Sequence, residues 1–353
     1  TFVSLLASAY RANGLEAFGT LLLAAALFVA FVVVASRSSL SIVYWTFLPA
    51  TANVALFLLQ RVAHWSPFGV PTDQPLLAST SFLGNANDLG MTLLLPTLAA
   101  YALVGTDRKH RRRWLAIAFA VLGTIGLIAS ESVASIGGFT IGLWLLLVLR
   151  RRSWKQALMI TTAFVVAGAI AFGVVPRFRE RVVQGAGYIR AHRYNELLSG
   201  RLIPTLVAME MVREHPITGA GPGSFRAEYF DKKLLVDRKY ASLMPERMAV
   251  WSAERMMSFG ETHDEHLQVL AELGVPGYAL FLAILVLLAR RSLRPETSRP
   301  RAAFARDFAL PAVVAFAISI LAQFPLRVAA PLTNALFFAA VIVAWSALQE
   351  EPA

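Results

Sequence analysis

Apolar positions along the chain fall into long continuous blocks, separated by short polar stretches. Nine blocks run approximately over 17–35, 40–60, 88–105, 114–130, 132–150, 156–175, 264–289, 307–323 and 333–348. Their lengths suit α-helices crossing a hydrocarbon core, which takes roughly 17–25 residues. The blocks do not alternate with period two, so they predict helices and not the strands of a barrel. One connection stands apart, the stretch 176–263. Structureless loops of such length are uncommon, so this one is expected to carry helices of its own. Leu202, Leu206, Ala208 and Met209 recur at helical spacing and predict a helix over 201–213. His215-Pro216 ends it, because proline disfavours helix in the residue before it. Gly219-Ala220-Gly221-Pro222-Gly223 then reads as a tight backbone turn. It is not a phosphate-cradling P-loop, since the lysine and the preceding strand are missing.

Composition agrees with the membrane reading. Hydrophobic residues make up 57% of the 353 residues, against roughly 45–50% for a soluble domain. The expected fold class is all-α: a polytopic transmembrane helix bundle with a long, partly helical loop on one side. The expected divisions are 1–175 and 264–353 for the membrane helices and 176–263 for the loop.

The net charge of +11 would raise the question of nucleic acid in a soluble protein. Here the charge sits in short runs beside apolar blocks, and no nucleic-acid partner is expected. The runs are Arg108–Arg113, Arg150–Arg152 with Lys155, and the arginines from Arg290 to Arg306. All three fall on one side, the cytoplasm by the positive-inside rule. The turn at Gly84–Leu89, the long loop and the connection 324–332 then face the other side, which is the periplasm in a bacterial inner membrane. Membrane lipids are the expected surroundings. With no cysteine, the chain holds neither disulfide nor thiolate metal site.

Candidate chemistry gathers where the long loop meets the seventh block. Glu261-Thr262-His263-Asp264-Glu265-His266 precedes an apolar helix. A histidine beside carboxylates can change charge near neutral pH. His263 can therefore act as a general base, or hold an anionic phosphate when protonated. Asp264 and Glu265 suit a helix start, where acids favour the positive end. His266 reads as a surface residue. No HExxH and no DxD run occurs, and neither metal nor cofactor is expected. The loop also carries many arginines, among them Arg190, Arg193 and Arg201. A guanidinium pairs with phosphate oxygens through a planar fork. Asn85, Asn87 and Asp88 open the third block on the same side. They either cap its helix or contact sugar hydroxyls.

Three segments together resemble the O-antigen ligase and polymerase superfamily of integral-membrane glycosyltransferases. They are GNANDLG from Gly84 to Gly90, then Ser199-Gly200-Arg201 with HPITGAGPGSF from His215 to Phe225, and THDEHLQVLAELGVPG from Thr262 to Gly277. In the last, ten residues separate His263 from Gly274, a spacing similar to that of O-antigen ligases. The resemblance implies a GT-C-like bundle that moves a glycan from an undecaprenyl-pyrophosphate carrier to an acceptor at the periplasmic face, without metal. The implied acceptor is lipid A core; a growing polymer or a protein is the alternative. By analogy Arg201 holds the pyrophosphate and His263 handles the acceptor hydroxyl. Two departures stand out. Relatives often carry an arginine where this chain reads Ser130–Ser135, so Arg190, Arg193 or Arg327 is expected to replace it. Relatives often have asparagine where this chain has Asp264.

A transporter is the competing class. Against it, the middles of the blocks hold almost no ionisable residue, where a polar pathway would show itself. A non-catalytic scaffold would need neither an interfacial histidine nor an arginine-rich outer loop.

Overall fold

The computed structural model describes residues 2–67, 80–151, 153–240, 259–295 and 298–347. Arg152 of the second basic run and residues 241–258 of the long loop lie outside the described residues. The described chain is helical, with no strand among the described residues. Its helices are α1 (Phe2–Ala7), α2 (Arg11–Arg37), α3 (Ser41–Trp45), α4 (Phe47–Val62), α5 (Ala86–Thr106), α6 (His110–Ala129), α7 (Val133–Leu149) and α8 (Trp154–Val174). Then come α9 (Pro176–Arg190), α10 (Tyr194–Leu197), α11 (Leu202–Glu214), α12 (Ser224–Lys239), α13 (Glu265–Ala289), α14 (Pro300–Ser319) and α15 (Ala329–Ala347).

Eight helical stretches among the described residues are long and apolar enough to span a membrane, and α7 is a shorter apolar helix. These nine coincide with the nine apolar blocks, and the chain is an all-α polytopic membrane bundle. The second block is divided at Thr46 into α3 and α4.

The chain forms two compact units. One is Leu23–Ala157 with Ala283–Ala353. Its core is the helix set α4 to α7 with α14 and α15, centred on Leu93, Leu94, Leu98, Phe304 and Phe308. Lipid supplies no hydrophobic drive between helices, so small residues and polar contacts hold them. Gly138 and Gly142 on α7 let α14 approach closely. A Cβ at Gly138 would lie 2.4 Å from the Ala315 carbonyl oxygen. Beside them Ser135 Oγ donates to Gln323 Oε1 at 3.0 Å, and Ser319 Oγ donates to the same oxygen at 2.6 Å.

The other unit is Thr1–Leu22 with Leu158–Leu282. Its core joins α11 and α12 to the start of α13 through Leu206, Val207, Met211, Phe225, Tyr229 and Ala271, all buried. The predicted loop helix is thus α11, with His215 as its C-terminal cap.

The glycine-rich turn does a specific job here. Within α13, Gly274 has φ 69 and ψ −177, a conformation open essentially to glycine alone. The helix ladder breaks there, and Pro276 brings no N–H to the Glu272 carbonyl. The released groups are taken up by the turn. Ala220 N–H donates to Ala271 O at 3.0 Å, Gly221 N–H to Glu272 O at 3.0 Å, and Val275 N–H to Pro216 O at 2.8 Å. Ser4 Oγ adds a bond to Glu272 O at 2.7 Å. So the 215–223 turn and the His–Gly segment interlock through their backbones. The fit admits no side chain at either glycine. A Cβ at Gly219 would stand 2.2 Å from Glu272 O, and one at Gly274 would stand 2.2 Å from Ile217 O.

Candidate active site

His263 precedes α13 in a turn its neighbours impose. Thr262 N–H donates to Gln268 Oε1 at 3.0 Å, and Asp264 N–H donates to Thr262 Oγ1 at 3.0 Å. Asp264 Oδ1 then accepts from Leu267 N–H at 3.0 Å, so Asp264 caps α13. Held on both sides, His263 takes φ 59, the left-handed region. Such backbone is uncommon for residues other than glycine, and it persists only where surroundings enforce it. The imidazole is half-buried and meets the Phe259 ring edge-on, with centroids 5.6 Å apart.

Gln268 and Glu272 complete the support and went unnoticed in the sequence. Both are buried. Gln268 Nε2 donates to Glu272 Oε1 at 3.2 Å and to Glu261 Oε2 at 2.5 Å. Glu272 Oε2 accepts the Gly223 N–H at 3.0 Å. One hydrogen-bonded line thus runs from the histidine turn through Gln268 and Glu272 to the start of α12. The readable signal was polar residues at helical spacing, Glu265, Gln268 and Glu272, in an otherwise apolar segment.

Arg201 occupies the N-cap position of α11 and is half-buried. It follows Ser199 at φ 54 and Gly200 at φ 81. The first turn of α11 has no acidic residue, and the Arg201 side chain does not cap it. A guanidinium and a helix N-terminus therefore add their positive potential at one place, where an anion is favoured. Burial pushes the Arg201 guanidinium down from its usual range.

The structure brings Arg201 and His263 together electrostatically. Burial first, and the Arg201 charge second, lower the His263 pKa to about 4. The imidazole is neutral near pH 7. This corrects one expectation: the flanking carboxylates do not bring His263 into the neutral range. Asp264 is engaged in capping α13, and the charge that bears on the ring is a cation. In this state the ring can accept a proton.

The other candidates are placed as follows. Arg190 is exposed in the last turn of α9, where a cation suits the helix dipole. Arg193 Nε donates to Glu196 Oε1 at 2.8 Å, and its guanidinium lies 5.4 Å from the centre of the Tyr188 ring. Both share the unit of Arg201 and His263. Asn85, Asn87, Asp88 and Arg327 belong to the other unit. Asn85 Oδ1 accepts from Asn87 N–H at 2.8 Å and caps α5, and Asp88 sits in that helix's first turn. Arg327 is exposed in a short 3-10 turn, Pro325–Arg327. Where relatives often carry arginine, Glu131 pairs with Arg61 of α4. His266 is half-buried rather than at the surface. Its Nδ1 lies 3.2 Å from the Tyr278 hydroxyl, and its ring meets Phe281. Among the described residues no group of three or more His, Asp or Glu side chains is arranged to hold a metal ion.

Fold and site together define a multi-pass helical membrane protein with a paired arginine and neutral histidine in the unit built on its long loop. Residues 117–282 match the family model Wzy_C, described as O-antigen ligase. Over that stretch, which includes Arg201, His263 and Gly274, the chain is similar to the O-antigen ligase family. No curated protein matches the chain.

Proposed function

We propose that the protein transfers a glycan from an undecaprenyl-pyrophosphate carrier to an acceptor hydroxyl at the periplasmic face of a bacterial inner membrane, with lipid A core as acceptor. The observation that carries this reading is the placing of Arg201, at a helix N-terminus, within electrostatic reach of a neutral His263. In the proposed step the acceptor oxygen bonds to the anomeric carbon. The bond from that carbon to the carrier pyrophosphate breaks, and the pyrophosphate leaves with the electron pair. The hydroxyl proton passes to His263. Arg201 and the amide end of α11 neutralise the charge that grows on the leaving group.

A base with so low a pKa is weak on its own. A bound pyrophosphate changes that, because its negative charge offsets Arg201 and favours the imidazolium. The base therefore strengthens when the donor arrives. Arginine does the work a divalent cation would do at the pyrophosphate, so transfer by purified protein should survive excess EDTA. Loss of activity with rescue by magnesium or manganese would contradict that part of the scheme.

The test of the reaction is the glycan profile of a strain lacking this protein. Polymer missing from lipid A while polymer accumulates on the carrier supports ligation. Single repeat units alone would point to a polymerase, and an unchanged profile would refute the proposal.

A further inference from the structure

The helix α9 has an apolar stripe that the described elements leave exposed on either side of Gly185, where Leu197 of α10 packs. Phe178, Val182 and Ile189 recur on one face, and all three are exposed. Arg181 flanks the stripe on one side and Arg179 and Arg190 on the other, while Glu180, Gln184 and Gly187, with the exposed Val183, lie opposite. Among the described elements α10 packs beside it, with Leu197 near Gly185.

Three observations say what fits this face. First, α9 begins at Pro176 and the span α8 ends at Val174, so a single residue, Val175, joins them. The helix starts where the chain leaves the bilayer. Second, Phe178 packs edge-on against Phe172 in the last turn of α8, at 6.5 Å between centroids. α8 has no buried residue, as expected of a helix facing lipid. The stripe thus continues a lipid-facing surface. Third, arginines border the stripe and the one acidic residue of the helix, Glu180, points away from it. That arrangement matches an interface with anionic headgroups, where cations sit at the edge of an apolar face.

We propose that α9 lies in the membrane–water interface, with Phe178, Val182 and Ile189 in the acyl boundary and Arg179, Arg181 and Arg190 on anionic headgroups. The occupant of this face is the lipid surface itself, and α9 anchors the start of the segment that carries Arg201.

The absence of native cysteine makes the test direct. Single cysteines at Val182, Ile189, Gln184 and Gly187 in the full chain carry a nitroxide label, in nanodiscs of phosphatidylcholine with or without phosphatidylglycerol. Collision with oxygen relative to a water-soluble nickel chelate reports depth. The ratio is expected several-fold higher at 182 and 189 than at 184 and 187. It should fall at 182 and 189 in neutral lipid and in the R179Q/R181Q background. Equal aqueous access at all four positions would overturn the proposal. So would low access to both reagents at 182 and 189, which would mean that protein covers the stripe. Depth unaffected by lipid charge and by the arginine substitutions would overturn the headgroup contact. The four positions are at the surface, so labelling leaves the core intact.

Discussion

Burial holds the imidazole of His263 neutral near pH 7, and the charge of Arg201 acts on it in the same direction. A cation beside an imidazole disfavours the imidazolium, so removing the cation must raise the pKa. Arg201→Gln is therefore expected to move the acidic limb of the pH profile upward from about 4. Donor pyrophosphate brings negative charge and should raise it in the same direction. The acidic limb of kcat, which reports the complex, should then lie above that of kcat/KM, which reports free protein. Coincident limbs, unmoved by Arg201→Gln, would mean that His263 does not feel this charge.

The two glycines at the interlock should behave unlike a glycine that is merely left-handed. Gly200 has φ 81 with open space where a Cβ would stand. Gly200→Ala should cost only about 1–2 kcal/mol of backbone strain. Gly219→Ala adds a collision with backbone to its positive-φ strain, Gly274→Ala adds one to a conformation essentially closed to other residues, and both should be considerably worse. Thermal unfolding of detergent-purified protein gives the order. Equal loss at all three positions would argue against the interlock.

Gln268 is expected to place His263 rather than react. Gln268→Ala leaves Thr262 N–H without its acceptor and frees the histidine turn. Misplacing a catalytic group by about 1 Å can cost roughly 10²-fold in rate. The loss should appear in kcat, with little change in KM for the donor. Gln268→Glu keeps the acceptor oxygen for Thr262 but replaces the donor to Glu261 and Glu272 with a third carboxylate, so it should not restore activity. Identical kcat in wild type and Gln268→Ala would remove this residue from the site.

Orientation is open to a cysteine test. Arg108 and Asp231 are both exposed. Ser224, in the long loop, is fully buried and unsuitable for labelling. In intact cells a membrane-impermeant thiol reagent should label Asp231→Cys and spare Arg108→Cys. Equal labelling of both would defeat the assignment of the long loop to the periplasm.

The membrane helices were legible because burial in lipid leaves a long, continuous apolar record. So was α11, whose apolar positions keep helical spacing. By contrast, α9 and α12 were not. In α9 the arginines and two glycines obscure a narrow stripe. In α12 the sequence SFRAEYFDKKLLVDRK is mostly polar, and the helix relies on Phe225, Tyr229 and Val236 reaching a core that forms only in three dimensions. Arg201 and His263 were marked by resemblance, but their coupling depends on tertiary approach. The same is true of the glycines. Gly219 and Gly274 look like separate turn and helix residues until the backbone of one is seen to exclude a side chain on the other.

The most direct test is transfer from a purified undecaprenyl-pyrophosphate glycan by Arg201→Lys and His263→Ala variants that remain folded. Lysine keeps the charge but loses the planar fork. It should cost about 10²–10³ in rate, as one transition-state contact does. His263→Ala should cost about 10²–10⁴, as loss of a general base does. Both losses, with unfolding temperatures close to wild type, are the predicted result. Near-normal turnover by His263→Ala would contradict the account, since the acceptor proton would then have another destination.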